Sequence, residues 1–261
     1  MKNFTRNGAP PLPHWAELAR RKDLRNRPVF LRVLRALQRG TFHFAVEPIY
    51  SVPKKTVMFH EILLRLKDES GVSIPPLDVF GTVADNDTSA DVGLYLVYYQ
   101  LLYRNVMNTT ASMNISPVLL RTEAERARLW DLLEAYADEG EAHKVILEVL
   151  EEPELPITPE LITFMKKVKS LGYRWALDDF GDGFLTMDHI RDLPVQFVKL
   201  CARYSLRLAA NKTPDPTEKL ILCTCHKKGI TLVAENIRTA EQMRNLHDWH
   251  GVSLSQSRAF P

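Results

Sequence analysis

The 261-residue chain is short of cysteine, of one-sided charge and of long apolar runs, and each shortage removes a class of protein. Its three cysteines, Cys201, Cys223 and Cys225, leave one over after any pairing and lack the spacing of a secreted disulfide scaffold, so a reducing cytoplasm is expected. The 34 Lys and Arg nearly balance the 32 Asp and Glu, for a net charge of +2, so DNA binding is not expected. Early positive charge at Arg20, Arg21, Lys22, Arg25 and Arg27 reads as a solvated helix face. No run reaches the roughly 18 to 20 apolar residues needed to cross a bilayer, and no apolar signal core opens the chain, so no membrane segment is expected.

What is present is an ordinary globular composition, 45% hydrophobic and 25% charged. A single α/β barrel of about 250 residues accommodates that length without a split. Residues 1–28 read as a proline-bearing lead-in and helix, and residues 29–261 as one barrel domain. Leu18, Leu24, Phe30, Leu31, Leu34 and Leu37 recur at helical spacing up to Gly40, with Pro28 dividing the run, which predicts a pair of N-terminal helices. Beyond them, short apolar runs alternate with amphipathic ones. Strands are predicted near residues 42–49, 56–66, 110–115, 144–150, 173–179, 195–201, 229–235 and 251–254. Helices fall near 89–106, 118–137, 158–171, 185–192, 215–228 and 239–247. Eight strands with helical connections predict a (β/α)₈ TIM-like barrel, an open doubly wound sheet being the alternative.

Barrel chemistry sits at the C-terminal ends of the strands, and there the sequence is strongly polar. The second strand carries Glu61 and Arg65 on the face of Val57, Phe59 and Leu63. Asn114 ends the third strand, Glu148 lies on the fourth, Asp178 and Asp179 end the fifth, Lys199 lies on the sixth and Glu235 ends the seventh. Five carboxylates and an amide oxygen converging on one mouth would repel one another without a cation, and hard ions such as Mg²⁺ or Mn²⁺ favour such donors. The adjacent Asp178 and Asp179 could bridge two ions about 4 Å apart, an arrangement suited to phosphoester hydrolysis.

These residues stand in motifs that resemble the EAL domain family over most of the chain. Glu61-Ile62-Leu63-Leu64-Arg65 is similar to the motif that names it, preceded by Glu47-Pro48-Ile49. Asn114-Ile115-Ser116-Pro117, Leu147-Glu148-Val149-Leu150-Glu151, Asp178-Asp179-Phe180-Gly181-Asp182-Gly183, Leu193-Pro194-Val195 with Lys199, Val233-Ala234-Glu235 and Gln256 follow in the family's order. The resemblance implies hydrolysis of cyclic di-GMP to its linear dinucleotide. It implies Glu61, Asn114, Glu148, Asp178, Asp179 and Glu235 as metal ligands and Lys199 as the partner of the attacking water. Glu151 would order the loop after the fifth strand. Arg65 would contact substrate phosphate, while Glu47, Asp182 and Gln256 would lie against the substrate. It also allows a homodimer near Asp188 to Asp192, a stretch that otherwise faces solvent.

The chain departs from the family pattern at several positions. Cys201 stands where an Asp is usual, Arg238 where a Glu is usual, Glu47 where a Gln is usual, Phe184-Leu185-Thr186 where a more polar loop is usual, and Ser257 where a Gly is usual. These motivate the alternative of a cyclic di-GMP receptor or protein-interaction module that binds without cleaving. Other signals read as packing: Cys223, Cys225 and His226 have no second ligand pair, His60 alternates away from Glu61, and Trp130, Trp175, Trp249 and the Tyr95, Tyr98, Tyr99, Tyr103 stripe suit a core or interface.

Overall fold

A computed structural model describes residues 28–75, 87–150 and 155–257. The expected lead-in, its basic cluster and Glu151 lie outside the described residues. The chain divides into two compact units.

The first unit takes in residues up to Val46, Ile62–Asn108 and Val118–Glu141. Its helices are α1 (Pro28–Arg39), α2 (Asp87–Met107), α3 (Val118–Arg121) and α4 (Glu123–Ala137). The tyrosine stripe on α2 packs as expected: Phe42 meets the Tyr95 and Tyr99 rings edge-on with centroids 6.4 and 5.7 Å away, and Phe44 lies 5.1 Å from Tyr103. Thr122 caps α4 by accepting the Glu125 amide, which satisfies one of its orphan donors.

The second unit takes in Glu47–Glu61, Thr109–Pro117 and the chain from Ala142 onward. Strands β1 (Phe42–Ser51) and β2 (Thr56–Lys67) run from one unit into the other, and β3 (Ser73–Ile74) is a short addition to β2. Then come β4 (Ala111–Ile115), β5 (Val145–Val149), β6 (Arg174–Phe180), β7 (Phe197–Leu200), β8 (Thr231–Ile237) and β9 (Leu254–Ser257). The strand order is β1-β9-β8-β7-β6-β5-β4-β2-β3, and β1 also pairs with β2, so the sheet closes into the expected barrel. Neighbours from β4 round to β9 are parallel, whereas β1 runs antiparallel to β9, with Ile49 opposite Gln256. A link of four residues, Val52 to Lys55, explains the reversal: it can form a hairpin but cannot carry the chain back for a parallel crossover.

Inside the barrel, Ile49, Phe59, Ile146, Ala176, Val233 and Leu254 form one buried cluster. Outside, α5 (Pro159–Ser170), α6 (Met187–Asp192), α7 (Ala202–Ala210), α8 (Pro216–Lys228) and α9 (Ala240–His250) follow the strands. Trp175 is fully buried and donates its indole N–H to the Met165 carbonyl at 3.0 Å. Helix α7 falls between the predicted helices. Its buried positions are Ser205, Leu208 and Ala209, on a helix of only nine residues.

Candidate functional site

Two bulges shape the barrel mouth. Between β6 and β7 the pairing passes from Leu177 opposite Val198 to Phe180 opposite Leu200, so Asp178 and Asp179 together face Lys199. Between β8 and β9 it passes from Ala234 opposite Ser255 to Ile237 opposite Ser257, so Glu235 and Asn236 together face Gln256. In each bulge the second residue adopts left-handed backbone, with φ of 52° at Asp179 and 55° at Asn236. Asp and Asn are the non-glycine residues that tolerate that region best. The carboxylate before each left-handed residue, Asp178 or Glu235, reaches Lys199, and the left-handed residues Asp179 and Asn236 are exposed.

Lys199 is the hub. Its Nζ lies 2.7 Å from Asp178 Oδ1, 3.0 Å from Glu235 Oε1, 3.1 Å from Glu148 Oε2 and 3.2 Å from Glu61 Oε2. Gln256 closes the ring by donating Nε2 to Glu47 Oε2 at 2.7 Å and to Glu61 Oε2 at 2.9 Å. Asn114 stands opposite Glu148 in the parallel ladder and is buried with it.

Burial disfavours charge here, and the charges answer one another. Desolvation pushes Glu148 well above the ordinary carboxylate value, reinforced by Glu61 and Asp178 and opposed by Lys199. Desolvation likewise lifts Glu235 to about 7, with Lys199 again opposing. For Lys199 itself burial acts downward, but Asp178, Glu148, Glu61 and Glu235 together carry it well above its usual value, so it stays an ammonium.

One ammonium cannot neutralise four carboxylates. Ligand oxygens of Glu61, Glu148 and Asp178 lie within 4.8 Å of one another, and among the described residues this is the one acidic or His/Cys group so placed. Glu148 Oε1 is fully buried and makes no hydrogen bond, and the neighbouring Ser112 Oγ falls short of hydrogen-bond geometry with it. An all-oxygen donor set with an unmatched buried carboxylate oxygen fits a hard divalent ion.

Of the expected site residues, Glu47, Glu61, Asn114, Glu148, Asp178, Lys199, Glu235 and Gln256 thus line one mouth of the second unit. Asp179, next on the same bulge, is exposed. Asp182 lies on the exposed loop beyond it, 3.6 Å from Arg203 Nε. Arg65 belongs to the first unit, where it donates to the Leu64 carbonyl at 3.2 Å. A cavity of about 480 Å³ opens beside the ring, lined by Glu47, Glu235, Arg238 and Gln256 among others, a volume in the usual range for a small-molecule site.

Sequence reasoning missed two supports, both on α7. Ser205 is fully buried; its hydroxyl donates to the Leu200 carbonyl at 3.0 Å and accepts the Glu235 amide at 3.0 Å. Arg203 donates to the Gly181 carbonyl just past Asp178 and Asp179. Neither residue stands in a motif, so only the fold brings them into view. Of the Cys223, Cys225 and His226 trio, expected to pack, only Cys225 lies in the core, while Cys223 and His226 are exposed.

Comparison with known proteins adds the following. The EAL domain model matches residues 31–254. The cyclic di-GMP phosphodiesterase PdeA of Borreliella burgdorferi is 25% identical over 223 residues, 84% of this chain and 33% of that protein. A probable cyclic di-GMP phosphodiesterase of Escherichia coli, PdeN, is 25% identical over 88% of this chain and 45% of its own length. The chain therefore spans less than half of these curated relatives. Among solved structures, the EAL enzyme Bd1971 with cAMP and cyclic di-GMP bound superposes with a TM-score of 0.73 at 20% identity, covering 94% of this chain and 68% of that one.

Proposed function

The chain belongs to the EAL domain family, and from that premise we propose that it is a metal-dependent phosphodiesterase converting cyclic di-GMP to the linear dinucleotide. The observation that carries the reading is the convergence of Glu61, Glu148, Asp178 and Glu235 on Lys199 at the barrel mouth. The phosphodiesterase names of the curated relatives support the substrate.

In this reading Glu61, Glu148 and Asp178, with Asn114, Asp179 and Glu235, would hold Mg²⁺ or Mn²⁺, two ions in the full complement. A bound metal would supply Lewis acidity at the phosphoryl oxygen and make a nearby water more acidic. Lys199 remains charged beside the carboxylates and so orients an attacking oxygen and offsets negative charge that builds in the transition state. Burial lifts the Glu235 carboxyl to about 7 in the absence of metal, so a bound ion would draw it into its ionised, ligating form. The Gln256 amide fixes the carboxylates of Glu47 and Glu61, and the cavity beside them receives part of the nucleotide.

The test is turnover of cyclic di-GMP by purified protein with Mg²⁺ or Mn²⁺, read by chromatography of the linear product. Folded protein that releases none at high enzyme concentration overturns the proposal. Arg238, exposed at the cavity where a carboxylate is usual, favours the second reading, a receptor. Tight metal-independent binding in calorimetry without turnover would select it.

A further inference from the structure

The first turn of α7 contacts both bulged strand ends, and we infer that it is the element that positions the site carboxylates, with Arg203, Tyr204 and Ser205 as positioning residues. The inference rests on the phosphodiesterase reading for what those carboxylates do, and on geometry alone for how they are held.

On the β6 side, the chain beyond Asp178 and Asp179 is gripped at consecutive residues. The Cys201 amide donates to the Phe180 carbonyl at 3.1 Å, prolonging the ladder past the bulge. The Arg203 guanidinium donates to the Gly181 carbonyl and reaches toward Asp182 Oδ1 at 3.6 Å, while it stacks 4.8 Å above the Tyr204 ring. That ring lies flush against Gly181: a Cβ on Gly181 would overlap it and would approach Cys201 Sγ to 3.1 Å. Gly181 also adopts φ of 116°, which side-chain-bearing residues avoid. The glycine, the ring and the guanidinium therefore form a three-part clamp on the backbone that follows the left-handed Asp179.

On the β8 side, one hydroxyl does the corresponding work. Ser205 accepts the amide of Glu235, which the bulge leaves without a ladder partner, and donates its O–H to the carbonyl of Leu200, two residues before α7 begins. Left-handed backbone at a non-glycine residue persists only where its surroundings over-determine it. Asp179 and Asn236 meet that condition through the same helical turn, so a single rigid element sets the spacing between Asp178 and Glu235.

The test compares Arg203→Ala, Arg203→Lys and Ser205→Ala with wild type. Arg203 is exposed, so its replacement leaves the fold intact, which thermal unfolding verifies. Removal of an outer contact typically costs about 10–100-fold in metal affinity or activity. Arg203→Ala is expected to raise the Mn²⁺ concentration for half-saturation, followed by electron paramagnetic resonance, by about 10-fold, and to lower kcat similarly with little change in KM. Lys, which can donate to Gly181 but lacks the planar fork, is expected to restore part of each. Amide exchange over residues 178–184 is expected to quicken in Arg203→Ala, and at Glu235 in Ser205→Ala. Unchanged exchange in both segments overturns the inference whatever the enzyme does. Absent turnover in wild type would instead strike at the phosphodiesterase reading, leaving exchange and Mn²⁺ binding to decide the positioning role.

Discussion

Lys199→Met is the most informative single change, because four carboxylates lie within 3.2 Å of the ammonium it removes. Met keeps the volume of the buried stem but leaves the acids facing one another without a cation. Removing one partner of a buried ion pair costs roughly 3–5 kcal/mol, and for a barrel-sized domain that corresponds to a fall of about 6–20 °C in melting temperature. The loss must depend on pH. Lys199 holds Glu148 and Glu235 down, so its removal raises both further. A carboxylate raised above its unfolded value stabilises the fold below the unfolded pKa and loses that contribution as pH rises through the folded one. The deficit of the variant is therefore small near pH 5 and largest at pH 8. A divalent ion should restore part of it, about 2.7 kcal/mol at 100 times its Kd. Circular dichroism melts in chelator at pH 5 and 8, then with Mn²⁺, measure all three effects. A variant that melts within about 2 °C of wild type at pH 8 without metal would refute the placement of Lys199 as the internal counter-ion.

Three further outcomes follow from named contacts. Glu148→Gln removes the oxygen that has no hydrogen-bond partner, and is expected to weaken Mn²⁺ binding by at least about 10-fold in calorimetry while leaving a folded chain. Among the cysteines, only exposed Cys223 should alkylate readily at pH 7.5 in a mass-spectrometric time course, since burial pushes Cys201 to about 11 and Cys225 to about 12. Asp68 accepts bonds from Ser70, Val72 and Arg32, which hold its carboxyl at about 2. Its contribution is complete above the ordinary value and is lost as pH falls toward 2, so Asp68→Asn should lower the melting point at pH 7 and flatten the acid limb of the stability profile.

Much of the fold and part of the site were legible in the sequence because their signals are local. A strand buried between other strands must be an apolar run, and a carboxylate at its end has few packing reasons to be there, so Glu61, Glu148, Asp178 and Glu235 stood out. The antiparallel course of β1 was also within reach, since only four residues join it to β2. The two bulges were not. A bulge is a mismatch of register between strands, and neither Asp178-Asp179 nor Glu235-Asn236 announces it alone.

The same distinction explains α7. Its role requires no apolar stripe and no motif, only a hydroxyl and a guanidinium at the right distances from two strand ends that lie 57 residues apart in sequence, Asp178 and Glu235. Chemistry-bearing residues are thus recognisable by type, whereas the residues that aim them are recognisable only by place. Cys201 belongs to the second kind: its backbone prolongs the β6–β7 ladder and its sulfur lies buried beneath Gly181. An Asp at that position would put a carboxylate next to Asp182 and the Arg203 guanidinium. Cys201→Asp should therefore compete with Gly181 for Arg203, and loosen the loop that the neutral thiol leaves clamped, an outcome that amide exchange at Gly181 reads directly.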